Sequence, residues 1–107
     1  MAGKKLKLQI LPAAQQELEE IAAVHLRLVG ANSARKITDK IYHVLEHLLK
    51  HPNIGLACSD EVLKIQGYRI LICGNYLCIY RLIEDIIFIY HIADGRTDYP
   101  KLFSGLC

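Results

Sequence analysis

The residues best suited to chemistry lie in a turn-rich segment near the end of the 107-residue chain, DGRTDYP at positions 94–100. This segment follows a run of apolar residues and presents one arginine and one tyrosine. Arg96 comes directly after a glycine in a predicted turn, where no structural duty is evident, so we predict a functional role for it. Contact with a binding target is the chemistry that an exposed guanidinium offers there.

Two further arginines, Arg69 and Arg81, lie inside apolar runs that we predict to be strands. Two interpretations remain open for each of them. The side chain could stack on a tyrosine and carry its charge to the sheet edge, or it could contact a substrate.

The histidines have weaker patterns. His25 lies beside the apolar stripe of a predicted helix, and a histidine at the margin of the core is favoured over a catalytic one. His43, His47 and His51 recur every four residues on a weakly basic stripe. We predict an ordinary solvated face there, with a site for an acidic partner or a metal ion as alternatives.

The cysteines lack the paired spacing of a zinc site, and we predict that they are buried free thiols: Cys58, Cys73, Cys78 and Cys107. No nucleotide-binding loop, metal-ligand set or nucleophile–base pair is visible in the sequence. We therefore expect no metal and no cofactor.

Length and charge set broad limits. We expect a single domain over 1–107 with its core at about 5–103. The formal charge of +2 permits a nucleic-acid or acidic partner but does not require one. No apolar stretch approaches the roughly 18 residues of a membrane span, and no signal-peptide pattern follows the first residues, so we predict a soluble cytoplasmic protein with no membrane partner.

The arginines must be positioned by a sheet. Three apolar runs at 68–73, 76–83 and 86–93 are separated by Gly74-Asn75 and Glu84-Asp85, which predicts an antiparallel meander with two-residue turns. The resulting register pairs 69 with 80, 71 with 78, 73 with 76, 82 with 87, 80 with 89 and 78 with 91. Both faces are then apolar, so helices should cover one and a second polypeptide could cover the other.

The N-terminal half supplies the predicted cover. Residues 5–11 alternate as a half-buried edge strand, and a helix from Ala13 to about Val29 is closed by Gly30. Asn32 or Ser33 is predicted to cap a second helix that ends near residue 50, which completes an αα-hairpin. A connector at 53–66 leads into the meander, and the last seven residues are too few to fold alone. The fold class is therefore α+β.

This order of elements resembles the RelE/ParE superfamily of small bacterial toxins, the toxic halves of type II toxin–antitoxin (plasmid stabilization) modules. The resemblance rests on the opening LPAAQQELEEI, the helix end HPNIG, the hairpin YRILICGNYLCIYRLI and the terminal IYHIADGRTDY. It implies one curved sheet with the helices on one face. It also implies a cognate antitoxin as partner, held in a toxin–antitoxin hetero-oligomer.

The two branches of the superfamily imply different targets. RelE-like proteins cleave mRNA on the ribosome. That reaction must deprotonate the 2′-hydroxyl, neutralise the phosphorane charge and protonate the leaving oxygen. Similarity to these proteins implies a catalytic set of four residues: Arg69, Arg81, Arg96 and Tyr99. The basic residues that the RelE pattern expects on the meander are replaced here by Tyr68, Ile70 and Leu77.

ParE-like proteins poison DNA gyrase, and their last strand commonly ends in a His-Gly-Arg-Arg-Asp-like segment. Residues 94–98, DGRTD, keep the glycine, the first arginine and the aspartate. The segment departs from the ParE pattern at two positions, which is fewer than the departures from the RelE pattern. We therefore favour the ParE branch, which implies target contacts by Arg96, Asp98 and Tyr99. A ribosome-dependent mRNA interferase and a non-toxic binding protein with the toxin fold are the alternatives.

Overall fold

A curved, open sheet of five strands organises the computed structural model, which describes residues 5–106, with side chains up to residue 103. The strands are β1 Lys7–Ile10, β2 Leu56–Ala57, β3 Arg69–Cys73, β4 Tyr76–Ile83 and β5 Ile86–Asp94. Their order across the sheet is β1-β5-β4-β3-β2, with β1 parallel to β5 and all other neighbours antiparallel. The predicted α+β class is confirmed, and β1 lies at an edge as expected.

The predicted meander is confirmed in most of its register. Residue 69 pairs with 80, 71 with 78, 73 with 76, 82 with 87 and 80 with 89. Gly74 takes a φ of 58°, the positive value that the first central position of a type II′ turn requires. Glu84 opens the second turn at a φ of 56°, a conformation that glycine adopts more readily.

One predicted pair is wrong. Cys78 lies opposite Ile92 rather than His91, because a β-bulge interrupts the β4–β5 register and leaves Tyr90 as an additional residue in β5. Beyond the bulge the faces of β5 exchange. Ile92 therefore enters the core beneath the helices, while Tyr90 packs on the opposite face of the sheet.

Two helices, α1 Pro12–Leu28 and α2 Ala31–His47, form the predicted αα-hairpin on one sheet face. Gly30 ends α1 at a φ of 136° and donates its N–H to the carbonyl of His25. The predicted cap of α2 is wrong. Gly30 occupies the N-cap position, and Asn32 and Ser33 lie in the first turn of the helix, where the Ser33 hydroxyl is hydrogen-bonded to His25 instead.

The main core lies between the αα-hairpin and the sheet. Its buried members come from both helices, from the residue that follows α2 and from all three meander strands: Ala14, Leu18, Ile41, Leu45, Leu48, Cys73, Cys78, Tyr80, Ile87, Ile89 and Ile92. Leu49 is exposed because α2 ends at His47 and the chain leaves the helix in a turn. Leu28 and Val29, at the tip of the hairpin, are each 72% exposed.

The chain itself covers the centre of the second sheet face, for which the sequence left a second polypeptide as a possible cover. The predicted connector contains β2 and a short helix, α3 Glu61–Ile65, which Asp60 caps by accepting the Leu63 N–H. The C-terminal residues form a 3-10 helix, Tyr99–Leu106. Side chains from these segments and from the sheet build a second buried cluster: Cys58, Leu63, Tyr68, Ile79 and Phe103.

The thiols agree with the prediction where the structure describes them. Cys58, Cys73 and Cys78 are buried and free, whereas Cys107 lies outside the described residues. Burial raises the pKa of the Cys78 thiol to about 12, so it is not a nucleophile at neutral pH. Within residues 5–106, no helix combines the length and apolarity that crossing a membrane requires.

Candidate functional site

The turn after β5 is hydrogen-bonded to the β3–β4 turn. The Gly95 N–H donates to the carbonyl of Asn75 at 2.7 Å, and the Thr97 N–H donates to the carbonyl of Asp94 at 2.9 Å. The Arg96 N–H donates to Asp94 Oδ1 at 2.9 Å. These three bonds fix the backbone of Arg96 at the rim of the sheet.

The Arg96 side chain projects from this turn and is 93% exposed. Its Nε donates to Asp94 Oδ1 at 3.1 Å and its Nη2 to Asp94 Oδ2 at 3.4 Å. Hydrogen bonds from the Arg96 side chain and backbone lower the pKa of Asp94, and the same carboxylate raises the pKa of Arg96. Both groups are therefore charged at neutral pH.

A cleft of about 570 Å³ lies beside this ion pair, between the β3–β4 turn and the turn after β5. Ile72 and Leu77 supply apolar side chains, Asn75 supplies an amide, and Asp94 and Arg96 supply the charges. An exposed cation beside partly apolar walls is suited to recognising a protein surface. We call this cleft and its ion pair the rim site.

Arg81 lies on the second sheet face and is enclosed by tyrosines. Its guanidinium carbon is 4.5 Å from the ring centroid of Tyr68 and 5.3 Å from that of Tyr90. Nη2 donates to the Tyr90 hydroxyl at 2.8 Å, and Nη1 donates to the carbonyl of Gln66 at 3.3 Å. Of the two interpretations left open by the sequence, stacking on tyrosine is the one this geometry supports.

Replacing Arg81 with alanine is expected to lower the free energy of unfolding by about 1–2 kcal/mol, because two cation–π contacts and two side-chain hydrogen bonds are lost. Urea denaturation followed by circular dichroism measures this change. Arg35→Ala, at an exposed position on α2, is the matched control and should change stability by less than about 0.5 kcal/mol. Equal stability of the two variants would contradict the structural role of Arg81.

Arg69 has a different structural role on the opposite face of the sheet. Its Nε donates to the carbonyl of Gly55 at 2.9 Å, and its Nη2 donates to the carbonyl of Asn53 at 3.1 Å. The arginine thus ties the HPNIG loop at residues 51–55 to β3. It pairs with Tyr80 in the register, as predicted, but its guanidinium bonds to backbone carbonyls rather than stacking.

Tyr99 and Asp98 both contact this chain's own residues. The Tyr99 hydroxyl accepts the Ser59 N–H at 3.1 Å and lies 3.0 Å from Ser59 Oγ, which anchors the C-terminal 3-10 helix to the segment before α3. Asp98 Oδ2 lies 3.6 Å from Lys101 Nζ. Tyr99 is therefore placed to support the fold, whereas Asp98 remains exposed near the rim site.

The four residues of the implied ribonuclease set are not brought together. Arg69 and Arg81 occupy opposite faces, because Arg69 pairs with Tyr80 and the neighbouring position points the other way. Arg81 lies six positions beyond Asn75, about 20 Å along an extended strand, whereas Arg96 lies beside the Asn75 turn. Only Arg81 and Tyr99 share a neighbourhood, at the second buried cluster.

A polar chain beside the α1–α2 turn was only partly visible in the sequence. His25 Nδ1 lies 3.0 Å from Ser33 Oγ, and His25 Nε2 lies 3.0 Å from the Tyr76 hydroxyl. Burial, and then the nearby Asp94, raise the pKa of Tyr76, so the histidine faces a neutral phenol rather than a carboxylate. This arrangement does not activate Ser33, and His25 stays at the core margin as predicted.

The histidine stripe, which runs from α2 into the segment after it, is exposed to solvent. Ring centroids of His43 and His47 are 6.5 Å apart, and those of His47 and His51 are 5.3 Å apart. Over the part of the chain that the structure describes, no group of three or more histidine, cysteine or acidic side chains is arranged to hold a metal ion.

Two positions of the rim site were missed by sequence reasoning. In the sequence, Asp94 stands out only because it replaces the histidine of the His-Gly-Arg pattern, and Asn75 only because it belongs to a predicted turn. The Asp-Gly-Arg order is itself a signal, because an aspartate side chain commonly accepts the N–H two residues later. The contact between the two turns, by contrast, depends on the strand lengths and the bulge.

Comparison with known proteins agrees with the fold. Residues 8–99 match the model of a family described as the ParE toxin of the type II toxin–antitoxin system, parDE. The chain is 33% identical over 91 residues to Toxin ParE1 of Mycobacterium tuberculosis, in strains CDC 1551 and H37Rv, covering 84% of this chain and 90% of that protein.

Two solved structures share the fold. One is the chromosomal ParDE system from P. aeruginosa, with a TM-score of 0.72 and 23% identity over 84% of this chain and 96% of the other. The second is the RelBE2 toxin–antitoxin complex from Mycobacterium tuberculosis, with a TM-score of 0.64 and 15% identity over 85% and 99% of the two chains. The sheet with its αα-hairpin, together with the family match over residues 8–99, shows that this chain belongs to the ParE toxins of type II toxin–antitoxin systems.

Proposed function

We propose that the protein is a cytoplasmic toxin that inhibits growth by binding a cellular target through the rim site, with DNA gyrase as the favoured target. Family membership supports the toxin class. The choice of gyrase rests on the DGRTD segment at 94–98, which is closer to the ParE pattern than the meander is to the RelE pattern.

The observation that carries this proposal is the different use of the three arginines. The guanidinium groups of Arg69 and Arg81 donate hydrogen bonds to groups within the sheet and its neighbouring loops. Arg96, by contrast, points into solvent at the edge of a cleft. Among these three, Arg96 therefore has a guanidinium available to a partner. Its fixed backbone lowers the entropy that is lost when a partner binds.

The same proposal includes neutralisation by a cognate antitoxin. Val24, Leu28 and Val29 are apolar side chains exposed at the end of the αα-hairpin, and Ile72 is 59% exposed on the sheet. Exposed apolar groups of this kind commonly mark a protein interface. The relatives of known structure are themselves toxin–antitoxin systems, which supports a hetero-oligomer in this case also.

The test is the inhibition of purified gyrase supercoiling by the protein and by Arg96→Ala. Loss of one charge-assisted contact, worth about 1.5–3 kcal/mol, should raise the half-inhibitory concentration about tenfold or more. Growth arrest after induction should weaken in the same variant. Arg35→Ala is the control, because it removes an exposed arginine of α2 that does not line the cleft.

Unaffected gyrase together with cleavage of mRNA in the ribosomal A site would contradict the proposal and favour the second candidate, a ribosome-dependent mRNA interferase. One observation favours that candidate: Arg81 and Tyr99 both pack at the second buried cluster. Harmless overexpression with neither activity would instead indicate a binding protein that keeps the toxin fold.

A further inference from the structure

We propose that Asp94 is a positioning residue of the rim site, which holds the Arg96 guanidinium by one edge and leaves the other edge for the target. This inference deepens the proposed function and rests on it for the identity of the target. The orientation of Arg96 by Asp94 is a property of this chain that can be measured without any target.

The geometry of the pair carries the proposal. Asp94 Oδ1 accepts from both the backbone N–H and the Nε of Arg96, at 2.9 and 3.1 Å, and Oδ2 lies 3.4 Å from Nη2. A guanidinium has five N–H donors in a planar fork. With the Nε–Nη2 edge facing Asp94, the donors of Nη1 remain directed away from the carboxylate.

The pair contributes to orientation rather than to stability. Arg96 is almost fully exposed and the Asp94 side chain is 44% exposed, and ion pairs at such positions contribute little to folding. A free arginine side chain samples many rotamers, and ordering them opposes binding. An arginine that is already held at its backbone and at one edge of its guanidinium loses less freedom when a partner binds.

The position of Asp94 also links the pair to the sheet. Asp94 is the last residue of β5 and pairs with Tyr76, the first residue of β4. Gly95 is then tied to Asn75. Asp94 thus belongs to the strand itself. Through Asp94, the position of the guanidinium is set relative to the sheet and to the cleft walls Ile72 and Leu77.

The test compares Asp94→Asn with the unaltered protein. Asparagine keeps the oxygen that accepts the Arg96 N–H, so the turn persists, but it lacks the charge and the second acceptor oxygen. The NMR signal of the Arg96 Nε–H should move toward the value of a free arginine and exchange faster with water. The half-inhibitory concentration against gyrase should rise about threefold to fivefold, the factor that corresponds to one exposed ion pair.

A pH titration of the unaltered protein adds a second readout. Because the pKa of Asp94 is lowered by Arg96, the distinct Nε–H signal should persist as pH falls through the usual titration range of aspartate. It should disappear only at lower pH, when Asp94 itself is protonated. Asp39→Asn, on the exposed surface of α2, is the control and should change neither the signal nor the inhibition.

A double-mutant comparison separates positioning from other effects. In the Arg96→Ala background, Asp94→Asn should cause no further loss of inhibition, because there is no guanidinium left to orient. An equal loss in both backgrounds would overturn the proposal, as would an Arg96 Nε–H signal unaltered by Asp94→Asn. If Arg96→Ala itself leaves inhibition unchanged, the proposed function fails, and the NMR comparison still decides whether Asp94 orients the arginine.

Discussion

Replacing Tyr80 with alanine is expected to lower the free energy of unfolding by about 3–5 kcal/mol, a large part of the stability of a domain of this size. Tyr80 is fully buried and is the largest such side chain among the described residues. Its hydroxyl donates to the carbonyl of Pro52 at 2.8 Å and accepts the N–H of Gly55 at 3.0 Å. Alanine would leave a cavity in the main core and two backbone groups without their partner.

Tyr80→Phe is the matched variant, because it keeps the ring and removes the hydroxyl alone. Its expected cost is about 1–3 kcal/mol, the penalty of leaving buried polar groups unpaired. Urea unfolding followed by far-ultraviolet circular dichroism is suitable for both variants, since the chain has no tryptophan to report by fluorescence. If phenylalanine were as destabilising as alanine, the cavity would not be the main cause.

Gly55→Ala is the second substitution with a large expected effect. A Cβ at this position would lie 2.7 Å from Tyr80 Cε1, 2.7 Å from the Tyr80 hydroxyl and 2.8 Å from the carbonyl oxygen of Ile70. None of these atoms can move freely, because Tyr80 is enclosed by the core and the Ile70 oxygen belongs to the sheet. We expect a loss of about 1–3 kcal/mol from overpacking.

The same unfolding measurement tests Gly55→Ala, with Asn53→Ala as the control in the same loop. The Asn53 residue is exposed, and it is its backbone carbonyl that accepts from Arg69, so truncating the side chain should change stability by less than about 0.5 kcal/mol. A urea midpoint of Gly55→Ala equal to that of the unaltered protein would show that the HPNIG loop can rearrange without cost.

Local turn chemistry explains why much of the sheet could be predicted. Gly74-Asn75 permits one two-residue hairpin, and a two-residue hairpin fixes the pairing of every residue on both strands. The bulge at Tyr90 was not predictable in this way. The run IFIYHIA around it is apolar or aromatic at nearly every position, so no alternation marks the point where the faces exchange.

The connector and the rim site show a second limit. α3 has five residues, too few for a helical period to be recognised, although Asp60 was available as its cap. The exposure of Arg96 followed from its place after a glycine, as predicted. Its contact with Asp94 was not predicted, because the rotamers of two exposed side chains depend on the turn geometry and not on residue type alone.

The pairing of the first strand with the last has a consequence for protein synthesis. β1 has β5 as its one neighbour in the described sheet, and β5 ends at residue 94. A nascent chain therefore holds its first strand without this partner until residues 86–94 have emerged from the ribosome. A toxin built in this order completes its sheet only after β5 has emerged, and an antitoxin already present in the cell can meet it at that moment.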